Sequence, residues 1–169
     1  MTNFNRIKPT KGQIDAFFHP KNVAVFGAST NPQKSGFLLV QNLLTHGFNG
    51  KIYQINPKPG EILGVNIIPS IFNIEEPIDL AVIFVPNKQI PPILEDCIKK
   101  GIKAAIIEAA GFEEVPDGGQ YITQIKEITE NFSKIRIIGP NCTGITLLSK
   151  TERACFPPSF LCLQLKLDQ

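Results

Sequence analysis

The amino-acid sequence predicts an α/β fold: a Rossmann-like, doubly wound, mostly parallel sheet with helices on both faces. Three observations predict it. Strand-sized apolar runs alternate with helix-period segments along most of the chain. One run, Leu80 to Val85, is apolar throughout, as in strands covered on both faces. The first run, Val23-Ala-Val-Phe-Gly27, ends in a glycine, and a helix begins at about Ser35 or Gly36. That is the sequence form of a strand, a tight turn and a helix N-terminus.

The elements follow in order. Residues 13–18 predict a short helix that ends at His19-Pro20, because the residue before proline avoids the helical region. Asn22 to Phe26 is the first strand. Leu39, Leu43 and Leu44 set the apolar face of a helix from about Gly36 to His46, with Gly47 as its cap. Lys51 to Ile55 is the second strand. The segment Glu61 to Ile74 predicts a brief strand around Val65 to Ile68 and then one helical turn. After the run Leu80 to Val85, Pro91 and Pro92 mark a helix start. That helix reaches about Lys100, with Ile93, Leu94, Cys97 and Ile98 on one face and Gly101 as cap. Lys103 to Ile107 is the next strand. A helix over Gly118 to Asn131 carries the stripe Tyr121, Ile125, Ile128 and Phe132. Ile135 to Ile138 is the last strand of the alternating series.

Composition narrows the function classes. Of 169 residues, 43% are hydrophobic and 19% charged, an ordinary globular balance. The formal charge of +2 is small and scattered, which argues against nucleic acid. The start of the chain has no apolar segment of a secretory signal, and no run is long enough to span a bilayer. The four cysteines form no Cys-x-x-Cys pair and lack zinc spacing, so no metal site is expected, and a cytoplasmic protein with reduced thiols is the simplest reading.

In a doubly wound sheet the ligand sits off the C-terminal strand ends. Five loops occupy that edge: Gly27–Ser35, Asn56–Gly60, Pro86–Lys88, Glu108–Phe112 and Gly139–Gly144. The Gly27 turn offers backbone N–H groups and a helix N-terminus to an anion. A site for NAD would want an acidic residue after the second strand to hold the ribose hydroxyls. Here Asn56-Pro57-Lys58 supplies a cation instead, which suits a second phosphate. A nucleotide with phosphates at both ends of its ribose fits, and coenzyme A is such a nucleotide. Ala28 and Ser29 depart from the glycine-spaced dinucleotide fingerprint, which counts against NAD(P).

The ordered pieces Pro20-Lys-Asn-Val-Ala-Val-Phe-Gly-Ala-Ser, Gly50-Lys-Ile-Tyr-Gln-Ile-Asn-Pro-Lys, Ile62-Leu-Gly, Asp79-Leu-Ala-Val-Ile-Phe-Val-Pro, Ala110-Gly-Phe and Gly139-Pro-Asn-Cys-Thr-Gly carry a resemblance. From about Ile14 to Ile145 the chain resembles the CoA-binding domain of the succinyl-CoA synthetase superfamily, and most closely the ADP-forming acyl-CoA (acetyl-CoA) synthetases. The resemblance implies that Gly27, Ala28 and Ser29 meet the CoA phosphates, joined by Lys34 and by Ser35 and Gly36 at the helix start. It implies that Asn56, Pro57 and Lys58 grip the adenosine end. Val85 and Pro86 form an apolar wall, Ala109, Ala110 and Gly111 line the pantetheine path, and Asn141 and Cys142 lie near the thiol. The family's phosphohistidine and ATP-grasp parts have no counterpart here. The resemblance therefore implies a CoA-binding domain or truncated subunit that is not catalytic alone and works with partner domains or subunits carrying those parts.

Other residues take plainer roles. No catalytic residue is assigned. Cys142 has no histidine or acidic neighbour in sequence and reads as a pocket contact rather than a nucleophile. Cys97 reads as core, Glu108 as a loop carboxylate capping the next turn, and His46 as a helix-end ring. A small NADP-dependent oxidoreductase and a non-catalytic CoA-sensing module remain the alternative readings. The chain divides into a domain over 1–148, with 1–12 flexible, and a tail over 149–169. In the tail, Phe160 to Leu167 alternates at period two beyond Pro157-Pro158. It reads as the start of a second domain, as a strand seeking a sheet edge, or as the stray end of a truncated reading frame.

Overall fold

The computed structural model describes residues 10–112, 114–131, 135–142, 146–148 and 153–155. Helix α1 (Lys11–Phe18) starts two residues before the predicted position. The cause is a capping box: Thr10 Oγ1 accepts from the Gln13 N–H (3.2 Å), and Gln13 Oε1 accepts from the Thr10 N–H (3.0 Å). Strand β1 (Asn22–Phe26), helix α2 (Ser35–Thr45) and strand β2 (Lys51–Ile55) follow. The strand predicted over Val65 to Ile68 is divided. Strands β3 (Glu61–Ile62) and β4 (Val65–Asn66) form a small antiparallel hairpin, and Ile68 bridges separately to Ile55. Leu63 and Gly64 both take positive φ (52° and 83°), which reverses the chain between them. The helical turn expected next is a 3₁₀ turn at Ile71–Asn73.

Strand β5 (Leu80–Ile83) leads through a 3₁₀ turn (Asn87–Gln89) into α3 (Ile90–Lys100), with Pro91 and Pro92 in its first turn. Gly101 closes that helix by donating to the carbonyls of Cys97 and Ile98. Then come β6 (Ala104–Ile107), α4 (Gly119–Asn131) and β7 (Arg136–Ile138). Strands β8 (Thr146–Leu148) and β9 (Arg153–Cys155) pair antiparallel, so this hairpin joins residues on both sides of position 148. Phe132 and the alternating stretch from Phe160 to Leu167 lie outside the described residues.

The main sheet runs β2-β1-β5-β6-β7, every neighbouring pair parallel. Alternate residues of each strand go to opposite faces. Val23, Val25, Leu80 and Val82 pack against Ala16 and Phe17 of α1 and Leu39, Val40 and Leu43 of α2. Ala24, Phe26, Ala81 and Ile83 pack against Leu94 and Cys97 of α3 and Ile125 and Ile128 of α4. Leu44, expected on the apolar face of α2, is 46% exposed, while Val40 is fully buried. Leu44 sits five residues from Leu39, which turns it off the stripe that Val40 and Leu43 share. At the N-terminal sheet edge, Asp79 Oδ2 accepts from the N–H groups of Lys21 (2.9 Å) and Asn22 (3.0 Å), tying β1 to β5 there. The opposite edge is left to open loops.

Candidate functional site

Strand order reverses between β1 and β5, so the helices that follow these neighbours lie on opposite faces. A crevice opens where the two connections part. Gly27 stands at its floor with φ +85°, and its N–H donates to Ile55 O (3.0 Å). A Cβ there would overlap the Phe84 carbonyl, and a Cβ on Gly36 would overlap the Gly27 carbonyl. The turn, the start of α2 and the end of β5 therefore meet backbone to backbone, which only glycine allows. Lys34 is the N-cap of α2 and gives no side-chain cap, so the first N–H groups of the helix, at Ser35 and Gly36, are left facing the crevice.

Side chains stiffen the loops in pairs. Asn56 Nδ2 donates to Ala28 O (2.8 Å), and Asn56 Oδ1 accepts from the Lys58 N–H (2.9 Å), joining the loops after β1 and β2. Asn87 does the same one crevice wall further on: its Nδ2 donates to Gly111 O and its Oδ1 accepts from the Lys88 N–H (2.7 Å). Within the first loop, Ser29 Oγ accepts from Asn31 N–H (3.2 Å) and Asn31 Oδ1 from Gln33 N–H (2.9 Å).

Two adjoining cavities result. The larger, of about 1000 Å³, lies on the β2 side. Gly27, Ser29, Lys34, Asn56, Pro57, Lys58, Val85 and Pro86 line it, together with Ser70, Lys88 and Ile93. The smaller, of about 490 Å³, lies on the β6 side and is lined by Gly27, Lys34, Ser35, Gly36, Val85, Pro86, Ala109 and Ala110, with Gln33 and Glu108. Gly27, Lys34, Phe84, Val85 and Pro86 belong to both, so the Gly27 turn and the end of β5 form the ridge between them. Lys34, Lys58 and Lys88 are exposed and make no ion pair among the described residues. They bring positive charge to the larger cavity, whose lining also includes Asp96, paired with Lys99 (3.5 Å).

Four residues singled out in the sequence line neither cavity. Ala28 is fully buried and contributes its carbonyl to Asn56. Gly111 anchors the second loop pair. Asn141 is held by its N–H on Ala109 O (3.1 Å), and the Cys142 thiol donates to Ile107 O (3.4 Å). Cys97 is buried in the core, where burial pushes its thiol pKa up. His46 sets its Nδ1 against Asn42 O (2.8 Å) at the end of α2.

Glu108 differs from its sequence reading. The carboxylate that caps the following turn belongs to Glu114, whose oxygens accept from the N–H groups of Gly111 (2.6 Å) and Phe112 (3.1 Å). The amides of Gly111, of Glu114 itself and of Phe112 hold that carboxyl below its ordinary pKa. Both oxygens of Glu108 are buried with no hydrogen-bond partner among the described residues, and burial pushes its pKa up to about 8. Lys88 and Asn87 were also not assigned from the sequence. Their signal was available: both fall in the loop that opens directly after a C-terminal strand end.

Residues 21–147 match the family of CoA binding domains. Over 146 residues the chain is 49% identical to the acetate–CoA ligase (ADP-forming) of Methanocaldococcus jannaschii, covering 83% of this chain and 20% of that protein. It is 38% identical over 150 residues to the acetate–CoA ligase (ADP-forming) I subunit alpha of Pyrococcus furiosus, covering 86% of this chain and 32% of that subunit. It superimposes with a TM-score of 0.72, at 34% identity, on the dinucleotide-forming acetyl-coenzyme A synthetase 1 of Ca. Korarchaeum cryptofilum in complex with phosphate and ADP, covering 79% of this chain and 28% of that one. The chain thus spans between about a fifth and a third of the length of these relatives.

Proposed function

This chain belongs to the CoA binding domain family, and from that premise we propose that it holds coenzyme A across the two cavities as the CoA-binding part of an ADP-forming acyl-CoA synthetase. The observation that carries the reading is the division of the crevice by the Gly27 turn into a larger chamber lined by Lys34, Lys58 and Lys88 and a smaller one that shares Lys34 and holds Glu108 beside Ala109 and Ala110. In this reading the adenosine and its ribose phosphate occupy the larger cavity, with Lys58 and Lys88 on the phosphate and Pro57, Ile71 and Ile93 against the base. The pyrophosphate lies on the ridge, where the Ser35 and Gly36 amides, the helix dipole and Lys34 meet it. The pantetheine arm runs through the smaller cavity along Ala109 and Ala110 toward Asn141 and Cys142.

The parent reaction is acid + CoA + ATP giving acyl-CoA + ADP + phosphate. It is completed by ATP-grasp and phosphohistidine domains or subunits, in the cytoplasm. The names of the relatives support the ligase reaction, and their greater lengths support further domains or subunits. No helix among the described residues is long and apolar enough to cross a membrane.

Isothermal titration of the folded chain tests the ligand. Saturable binding of CoA, with NADPH weaker, is the expected result. No CoA binding at millimolar ligand overturns the proposal, and tighter binding of NADPH would move the chain to the oxidoreductase class.

A further inference from the structure

Asn87 joins two loops that serve different cavities. It opens the 3₁₀ turn Asn87–Gln89 directly after Pro86. Its Oδ1 accepts from the Lys88 N–H (2.7 Å) within the loop after β5, and its Nδ2 donates to Gly111 O in the loop after β6. Lys88 lines the larger cavity, while Ala109 and Ala110, just before Gly111, line the smaller. Asn87 itself lines neither. The comparable brace, Asn56, joins the loops after β1 and β2, whose Ser29 and Lys58 face the same larger cavity.

Little else ties these two loops together. Strands β5 and β6 are paired as far as Ile83 and Ile107, and the Glu108 N–H adds one bond to Ile83 O (3.3 Å). Beyond that bond, no backbone hydrogen bond links the two loops among the described residues. The Gly111 end is itself held, because its N–H donates to Glu114 Oε1 (2.6 Å) and its φ is +91°. A Cβ on Gly111 would stand 3.4 Å from Asn87 Nδ2, so the amide lies against the Gly111 backbone. The bond is partly buried, where competing water is fewer and a hydrogen bond is stronger.

We propose that Asn87 is a positioning residue that sets the spacing of the two cavities so that one ligand spans both; this rests on the CoA reading above. Coenzyme A joins a phosphorylated adenosine to an uncharged arm. Once one end is seated, the other binds as part of the same molecule, and it gains fully only where the two sites stand at the ligand's own spacing. A ligand with a single end gains nothing from that spacing. The Gly27 turn and the end of β5 form the wall common to both cavities, and Asn87 fixes the Ala109–Gly111 loop against it. Breaking the Nδ2 bond frees that loop relative to Lys88 and leaves the lining groups of each cavity in place.

The test compares CoA with its two halves, adenosine 3′,5′-bisphosphate and pantetheine, on the whole chain. Calorimetry follows the first two ligands, and NMR titration follows the weaker pantetheine. Asn87→Ser keeps a short acceptor for the Lys88 N–H but cannot reach Gly111 O. Its affinity for CoA should fall about tenfold, as for loss of one partly buried hydrogen bond. Its affinities for the bisphosphate and for pantetheine should not change. Unchanged CoA affinity overturns the assignment, and this is what a role in stability alone would give. A loss for either half as large as the loss for CoA also overturns it, because Asn87 would then act inside one cavity. Asn87→Asp, equal in size, removes the same donor and serves if the serine variant fails to fold. Its added charge bears alike on CoA and the bisphosphate, so the ratio of their dissociation constants decides: a shift of about tenfold against CoA is expected, and an unchanged ratio overturns the assignment. These outcomes leave the CoA reading intact. Failure of CoA to bind the folded, unaltered chain overturns that reading and this inference with it.

Discussion

Lys58 leaves the loop after β2 exposed, braced through its backbone N–H on Asn56 and without an ion pair among the described residues, so its ammonium is available to a phosphate. Lys58→Ala should weaken CoA about tenfold, as for loss of one charge-assisted contact, and should weaken dephospho-CoA far less. Paired calorimetric titrations check this, and equal losses would remove the lysine from the ribose phosphate. Glu108 makes a different prediction, about stability. Its folded pKa of about 8 lies above the ordinary carboxyl value, so unfolding releases its proton at neutral pH. The stability due to the neutral carboxyl is fully present below the ordinary carboxyl range and is lost as pH rises through about 8. Glu108→Gln should therefore raise stability at pH 7 by roughly 1–3 kcal/mol, a cost of burial discounted for partial exposure. Urea denaturation at neutral and mildly acid pH should show the gain shrinking toward acid. Lys58 was legible because it follows a strand end directly. The burial of Glu108 was not, because its walls come from β1, β5 and β6, which are distant in sequence.

Helix α2 owes its position to one glycine rather than to its apolar face alone. Ala has the higher helix propensity, by about 1 kcal/mol, yet Gly36→Ala drives a methyl into the Gly27 carbonyl. Gly36→Ala should destabilise the chain by about 1–3 kcal/mol and weaken CoA by displacing the helix start from the turn. Gly12, in α1, has open space around the same position. Gly12→Ala should raise stability by up to about 1 kcal/mol and leave CoA binding unchanged. Thermal unfolding of the two variants, with CoA titrations, separates propensity from packing. The capping box of α1 was present in the sequence as Thr10-Lys-Gly-Gln13, ahead of the apolar spacing that placed the helix start too late. The hairpin of β3 and β4 was hidden because its strands are two residues each, too short for a period to register.

At the scale of the whole molecule, the sheet order sends α1 and α2 to one face and α3 and α4 to the other, and the crevice lies where they part. Lys34, Lys58 and Lys88 come to it from three separate loops. Their joint field implies a salt dependence: CoA affinity should drop several-fold between low salt and about 0.5 M, where screening reaches only about 4 Å. Adenosine, which has no phosphate, should bind without that dependence, and a level CoA profile would show that the lysines are not its partners. The sequence by itself determined the alternation of strands and helices, the Gly27 turn and the edge at which the loops gather, because these depend on local periodicity and on backbone conformations that few residues adopt. Only the tertiary structure decided that Asn56 and Asn87 brace loops in pairs, that Ala28 turns inward, and that the Glu108 carboxyl oxygens are buried in the cavity wall beside the ridge. Those outcomes depend on which strands become neighbours, and parallel neighbours are joined through crossovers that leave no mark at any single position of the chain.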